Sequence, residues 1–168
     1  MDEVAELKTV HVVPVPTNIA RREMILDIEE EISKLPGAFH GDTDKCPLEH
    51  SFADGVYVRQ ITIPKGMLIV GKIHKHSHPN FIVSGEVSVL TEEGPKRLKG
   101  PCFMISPAAT KRLVYTHEDT VWITVHATKE TKLDKIEEEI IAKNYDEVPN
   151  IEEINNFIDV ISETKGIL

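Results

Sequence analysis

The feature that most constrains the fold is a change in apolar periodicity between the middle of the chain and its two ends. From Gly55 onward apolar residues alternate with polar ones, and turn signals at Pro64-Lys65-Gly66, Gly85 and Gly100 interrupt the alternation at short intervals. A period of two predicts β-strands, and short strands at this spacing are typical of a sandwich or barrel. We expect strands over residues 56–63, 67–74, 80–90, 102–105, 112–115 and 120–128, with a turn at Gly85.

The N-terminal end carries an extended segment followed by a helix. Pro14 and Pro16 interrupt a valine-rich stretch over residues 1–16, which predicts an edge segment because proline cannot donate to a ladder. Thr17 or Asn18 then provides a helix N-cap. The apolar stripe of the predicted helix ends at Pro36-Gly37 and consists of Ile25, Ile28, Ile32 and Leu35.

The C-terminal end predicts two amphipathic helices separated by Pro149-Asn150. One stripe runs from Leu133 to Ile141 and the other from Ile151 to Ile161. We therefore divide the chain into an N-terminal segment, helix and loop (1–54, with 37–54 as the loop), a barrel (55–128) and a C-terminal helical arm (129–168).

Composition excludes several classes of function. The net charge of −9 argues against a nucleic-acid partner, and no apolar run reaches the roughly 20 residues that span a bilayer. Two cysteines, Cys46 and Cys102, suit a reducing compartment, so we expect a cytoplasmic protein.

Charge is distributed unevenly along the 168 residues. The net charge is −7 over residues 1–54, +4 over residues 55–128 and −6 over residues 129–168. Acidic helix faces that keep the protein soluble explain this pattern, and so does a basic middle segment that binds an anion.

The spacing of residues in the middle segment resembles the two motifs of the cupin superfamily. Gly66, His74 and Gly85 fall at positions of the first motif, and Gly100 opens the second, in which Pro107 supports the register. The resemblance covers about residues 55–128 and implies a mainly β fold, a single antiparallel jelly-roll barrel flanked by one N-terminal and two C-terminal helices. Cupins commonly pair through their sheets, so a homo-oligomer is expected.

The positions that bind a metal in this superfamily are changed here. They hold Lys72, His74, His78 and Lys111 in place of three histidines and a glutamate. A charged ammonium group repels a metal cation, so the complete four-ligand site is lost in this register.

A second likeness is to cupin proteins of tailed phages. The run from Lys72 to Phe81 and the segment from Thr116 to Trp122 are similar to segments of such proteins. This likeness implies a viral origin, with the host cytoplasm or the virion as the location.

A different metal site remains open. His74, His76 and His78 alternate, so on a continuous strand their side chains share one face, and His126 on the last strand provides a further ligand. Histidine clusters suit a divalent transition metal such as Fe, Mn, Ni or Zn.

The same region also predicts an anion pocket. Lys72 and Lys111, with Arg59 or Arg112, would line the barrel mouth and attract a small anionic molecule. His74 or His78 would then serve as the catalytic base near neutral pH. Other candidate ligand-binding residues are Trp122 and His126.

Three functions therefore compete at the level of sequence. The first is a small-molecule-binding cupin with an anion-selective pocket lined by lysine and histidine. The second is a phage structural or assembly protein that uses the barrel as a scaffold. The third is a metal-dependent dioxygenase, decarboxylase or isomerase. Fold alone does not decide among them.

Overall fold

The structure, a computed structural model, describes residues 18–156. The predicted edge segment over residues 1–16, the cap at Thr17 and the end of the last helix, including Ile161, lie outside the described residues. The strands are Leu48–Ala53 (β1), Val56–Ile63 (β2), Leu68–Val70 (β3), Ile73–His74 (β4), His78–Ser84 (β5), Glu86–Thr91 (β6), Gly94–Lys99 (β7), Cys102–Ser106 (β8), Leu113–Thr116 (β9), Thr120–Ala127 (β10) and Ile141–Ala142 (β11). The helices are Asn18–Ser33 (α1) and Leu133–Ile140 (α2), and residues 151–156 are also helical.

Two antiparallel sheets pack face to face and form a jelly roll. One sheet has the strand order β1-β2-β10-β5-β8, the other has the order β3-β9-β6-β7, and β11 pairs with β4. Apolar side chains from both sheets meet in one core cluster. The buried members of this cluster are Ile82, Val87, Val89, Val114 and Trp122. The mainly β fold class with flanking helices is therefore confirmed.

The turn at Gly85 is confirmed, and only glycine fits there. Its φ is +94°, and an added Cβ would lie 2.4 Å from Oγ1 of Thr120. The turn lets the chain pass from β5 in one sheet to β6 in the other, so it helps to close the barrel.

The interpretation of residues 37–54 as a loop is wrong over its second half. Residues 48–53 form β1, which pairs with β2 from Leu48 opposite Ile61 to Ala53 opposite Val56. The strand lacks apolar alternation because it is an edge strand with mostly exposed residues. Asp54-Gly55 makes a two-residue hairpin turn, for which Asp-Gly is a favoured sequence.

The single strand expected over residues 67–74 is also wrong. It divides into β3 and β4, which belong to different sheets: β3 pairs with β9, and β4 pairs with β11. The separation occurs at Gly71 and Lys72, where the Gly71 N–H still donates to the Arg112 carbonyl oxygen. Ile141, expected in a helix, instead forms β11 opposite His74.

The helix α1 packs through a face that combines part of the predicted apolar stripe with a buried charge. Arg22 and Ile25 are buried, whereas Leu35 at the end of that stripe is 59% exposed. Nε of Arg22 lies 3.5 Å from Oε2 of Glu92 in the β6–β7 turn, and the guanidinium lies over the Tyr145 ring. One turn further than Ile25, Glu29 forms an ion pair with Lys111 at 2.9 Å. Charged contacts therefore hold this helix across the barrel.

None of the helices within residues 18–156 has the length and apolar character needed to cross a membrane.

Replacing Glu92 with alanine should lower the free energy of unfolding by about 3 kcal/mol, because it leaves the buried Arg22 charge without a carboxylate. The matched control is Glu93→Ala, which removes an exposed pair with Lys96 and should cost less than about 1 kcal/mol. Urea unfolding of both variants tests this expectation. Equal losses would contradict the assigned role of the buried pair.

Candidate metal centre

Three histidines from three different strands meet inside the barrel. His74 ends β4, His78 begins β5 and His126 lies near the end of β10. Their ring centroids are 4.1 to 5.2 Å apart, and one nitrogen from each ring lies within 4.8 Å of the others. All three side chains are buried. The arrangement is a compact set of three buried nitrogen donors.

Backbone pairing fixes the position of each histidine. His74 is opposite Ile141 of β11, and its carbonyl oxygen accepts a hydrogen bond from the Ala109 N–H at 2.9 Å. His126 pairs with Tyr57 of β2, whose ring stacks on the imidazole at 6.1 Å. The short β4 and the long β10 are thus held by separate partners, so the cluster depends on tertiary pairing.

Each of these rings has one buried nitrogen without a hydrogen-bond partner among the described residues. These atoms are Nδ1 of His74, Nε2 of His78 and Nε2 of His126. The other nitrogen of His78, Nδ1, lies 3.1 Å from the carbonyl oxygen of His76. A carbonyl oxygen only accepts, so Nδ1 carries the proton and Nε2 presents its lone pair to the cluster.

Burial keeps the three imidazoles neutral. It lowers the pKa of His78 to about 4 and that of His126 to about 3. The pKa of His74 falls further below its ordinary value, first through burial and then through repulsion from His78 and His126. The neutral form is the one that ligates a metal, so the cluster is ready to bind one at neutral pH.

The structure brings together His74, His78 and His126 but leaves His76 outside. The chain bends between β4 and β5, so the continuous strand on which the three alternating histidines would share a face does not form. His76 is exposed there and contributes its carbonyl oxygen instead of its ring.

The two lysines of the predicted anion pocket both have carboxylate partners. Nζ of Lys72 pairs with Glu137 of α2, and the lysine is half-exposed. Nζ of Lys111 is buried and donates to Glu29 of α1 and to the carbonyl oxygen of Gly71, each at 2.9 Å. Each ammonium charge is therefore already compensated by a carboxylate, so neither lysine supports the predicted anion pocket.

Trp122 and Arg59 lie on the interior face of their strands. The Trp122 ring is buried in the core, and its Nε1 donates to Oδ1 of Asn80 at 3.0 Å. Arg59 shares its face of β2 with Tyr57 and lies opposite Thr124. Its positive charge acts on the three histidines and contributes to lowering each pKa.

Sequence reasoning missed Tyr57 and Asn80. Tyr57 is buried beside His126, and its hydroxyl hydrogen bonds with Nδ1 of His50 at 2.8 Å. Asn80 is fully buried and joins Trp122 to Ser106. The signal for Asn80 was its parity with His78 on one strand. Tyr57 carried no comparable signal, because only the register between β2 and β10 places it beside a histidine.

Comparisons with known proteins find similarity to solved structures only. No family model matches the chain, and no curated protein matches it. Among solved structures, ectoine synthase from P. lautus is 15% identical and has a TM-score of 0.49, with 66% of this chain and 82% of that chain covered. KdgF from Halomonas sp. is 14% identical with a TM-score of 0.47, covering 59% of this chain and 92% of that one. The cupin domain of Schizosaccharomyces pombe Cnp3 is 16% identical with a TM-score of 0.45, covering 62% and 78%.

The described residues form a barrel of two antiparallel sheets, and the histidine cluster inside it is compatible with a metal site. Phage origin and cytoplasmic location stay predictions.

The metal-free protein should lose stability as pH falls from about 6.5 toward 4. Because the folded pKa of each cluster histidine lies below its unfolded value of 6.5, the unfolded state binds more protons in this window. The free energy of unfolding should therefore fall with a slope of up to ~1.4 kcal/mol per pH unit for each histidine and level off above pH ~7. Urea unfolding of EDTA-treated protein at several pH values measures the slope.

Two variants separate the cluster from other titrating groups. His78→Gln should reduce the slope, and His76→Gln, at an exposed position, should leave it unchanged. A slope that is the same in wild type and His78→Gln would show that the buried imidazoles do not control this pH dependence.

Proposed function

We propose that the protein binds a divalent first-row transition metal through His74, His78 and His126 and presents it to a small molecule in the barrel. The observation that carries this proposal is the convergence of three buried histidines, each of which also has a ring nitrogen with no partner in the described part of the chain. A buried polar atom without a partner costs free energy, which a bound metal would recover.

The donor set favours some metals over others. Three neutral imidazoles suit Fe, Ni or Zn, whereas Mn prefers oxygen ligands, and the cluster found within residues 18–156 includes no carboxylate. Three protein ligands leave coordination positions open for water or substrate. A metal bound there supplies Lewis acidity, polarising a carbonyl group or lowering the pKa of a water molecule.

The surrounding residues orient and shield the donors. The His76 carbonyl oxygen holds the His78 tautomer, which is the usual role of an outer partner of a metal-binding histidine. Tyr57 stacks against His126 and limits its rotation. Burial of the three histidines limits their contact with bulk water.

Metal binding takes precedence over the lysine-lined pocket for two reasons. Lys72 and Lys111 are neutralised by glutamates. The lowered pKa of His78, at about 4, makes it a weak general base at neutral pH.

Wild-type protein should retain metal after dialysis, and its melting temperature should rise on addition of Ni or Zn. A ligand at 100 times its Kd stabilises the native state by about 2.7 kcal/mol. His126→Leu should lose both effects, and His76→Leu should keep them, because His76 is outside the cluster. Elemental analysis and thermal unfolding measure the two effects.

The metal-free His126→Leu variant separates a ligand from a structural residue. It should unfold within ~1 kcal/mol of wild type or be more stable, because it removes an unpaired buried nitrogen. A large loss of metal-free stability, or equal metal binding by both histidine variants, would contradict the proposal.

We also propose that a second copy of the chain covers the outer face of β5 and β8. Phe103 is 71% exposed and Ile105 is 61% exposed, and the Phe103 ring lies 6.2 Å from that of Phe81. With Val83 they form a continuous strip without charge on a chain of net charge −9. Contact across this strip would bring no like charges of two acidic copies directly together, and exposed apolar patches commonly mark interfaces.

Wild type should elute as an oligomer in size-exclusion chromatography with light scattering, and Phe103→Asp should shift it to the monomer. The matched control is Leu68→Asp, at an exposed apolar position of the other sheet, which should leave the oligomer intact. A monomeric wild type, or dissociation by both variants, would overturn this pairing.

A further inference from the structure

A cleft separate from the histidine cluster lies between α1, the loop over residues 37–41 and β3. Its volume is about 530 Å³, which is within the range of small-molecule sites. Most of its lining is apolar and includes Ile32, Phe39, Ile61, Met67 and Val70. A ligand in this cleft would therefore bury an apolar body.

The charged side chains that line the cleft are already paired. Glu29 forms an ion pair with Lys111, and Lys72 forms one with Glu137. The lining of the cleft therefore presents no unpaired charge to the part of a ligand that lies in the cleft.

Two residues that line the cleft, Ile61 and Lys72, are close in sequence to residues at the histidine cluster. Ile61 lines the cleft, and Arg59 and Tyr57 follow on the same face of β2 in steps of about 7 Å. Lys72 also lines the cleft, and His74 comes two residues later. Along β2, Arg59 therefore lies between Ile61 of the cleft and Tyr57, whose ring stacks on His126.

Arg59 carries a guanidinium charge that is not compensated by a carboxylate among the described residues. It is partly buried, and no ion pair or side-chain hydrogen bond joins its guanidinium to the described residues. Its charge nevertheless reaches all three histidines. A partly buried guanidinium without a carboxylate is suited to bind one from a ligand through paired hydrogen bonds.

Arg112 adds a second cation from the opposite sheet. Its guanidinium carbon lies 5.8 Å from the centre of the Trp122 ring, and within residues 18–156 it forms no ion pair. Burial lowers its pKa to about 10, so it stays charged at neutral pH. Both arginines therefore make the surroundings of the histidines favourable for an anionic group.

We infer that the ligand of this protein is a monocarboxylate with an apolar body, its carboxylate on Arg59 beside the histidines and its body in the cleft under α1. The inference deepens the proposed function by naming a substrate class, but recognition of the acid by Arg59 does not require the metal.

Sodium octanoate and 1-octanol form a matched pair of probes, equal in chain length and different in charge. Isothermal titration of the metal-free protein should show octanoate binding at least about ten-fold more tightly than octanol, as expected for charge-assisted hydrogen bonds. Arg59→Gln should weaken octanoate binding about ten-fold or more and leave octanol binding unchanged. The control Arg97→Gln, at an exposed arginine paired with Glu86, should change neither.

A second variant tests the cleft independently of the arginine. Ala38→Trp at the exposed rim should weaken both probes by filling the space that holds the apolar chain. Ala38→Trp also tests the cleft if Arg59→Gln fails to fold. In that case Arg59→Lys, which keeps the charge, should retain part of the preference for octanoate.

Several results would overturn the inference: no octanoate binding, equal affinity for both probes, or full octanoate binding by folded Arg59→Gln. These outcomes are distinct from failure of the proposed function. Loss of metal binding with octanoate recognition intact would overturn the metal site alone, and metal binding without octanoate recognition would overturn the substrate class alone.

Discussion

The antiparallel register of β10 between β2 and β5 is the constraint on which the candidate site depends. It sets His126 opposite Tyr57 and places Trp122 beside Ile82 and Ile61, so the same strand contributes to the core and to the site. A shift by one residue would turn His126 outward and Trp122 away from the core. Burial of Trp122 therefore stabilises the register that orients the histidine.

Ion pairs between the helices and the barrel give the unequal charge of the three parts of the chain a structural role. Acidic residues of the two helices pair with basic residues of the barrel: Glu29 with Lys111 and Glu137 with Lys72. These pairs hold α1 and α2 against the barrel and give both lysine ammonium groups a carboxylate partner. Two other cations of the barrel have no ion pair within the described residues: Arg59 lies on the interior face of β2, and Arg112 lies over the buried Trp122 ring.

Much of the architecture could be predicted from the sequence because it follows from local patterns. Period-two alternation located most strands, and the glycine spacing located the turn at Gly85. The edge strand β1 was missed because its solvent-exposed residues do not alternate. The division at Gly71 was missed because the choice between pairing with β9 and pairing with β11 is made by residues distant in sequence.

The sequence predicted which residue types form the site but not which of those residues come together. Histidine density drew attention to residues 74–78, and His126 was included by its parity with Trp122. The exclusion of His76 depends on a bend between two short strands, which periodicity does not encode. The ion pairs that Lys72 and Lys111 form with glutamates depend on where α2 and α1 pack on the barrel. Amphipathic stripes alone do not determine those positions.

The most direct test of the metal centre is anomalous diffraction from crystals of the full chain grown with Ni or Zn. The account predicts one strong peak per chain, about 2.1 Å from one ring nitrogen of each of His74, His78 and His126. A barrel interior without a peak, or metal bound only at exposed histidines such as His76, would contradict it.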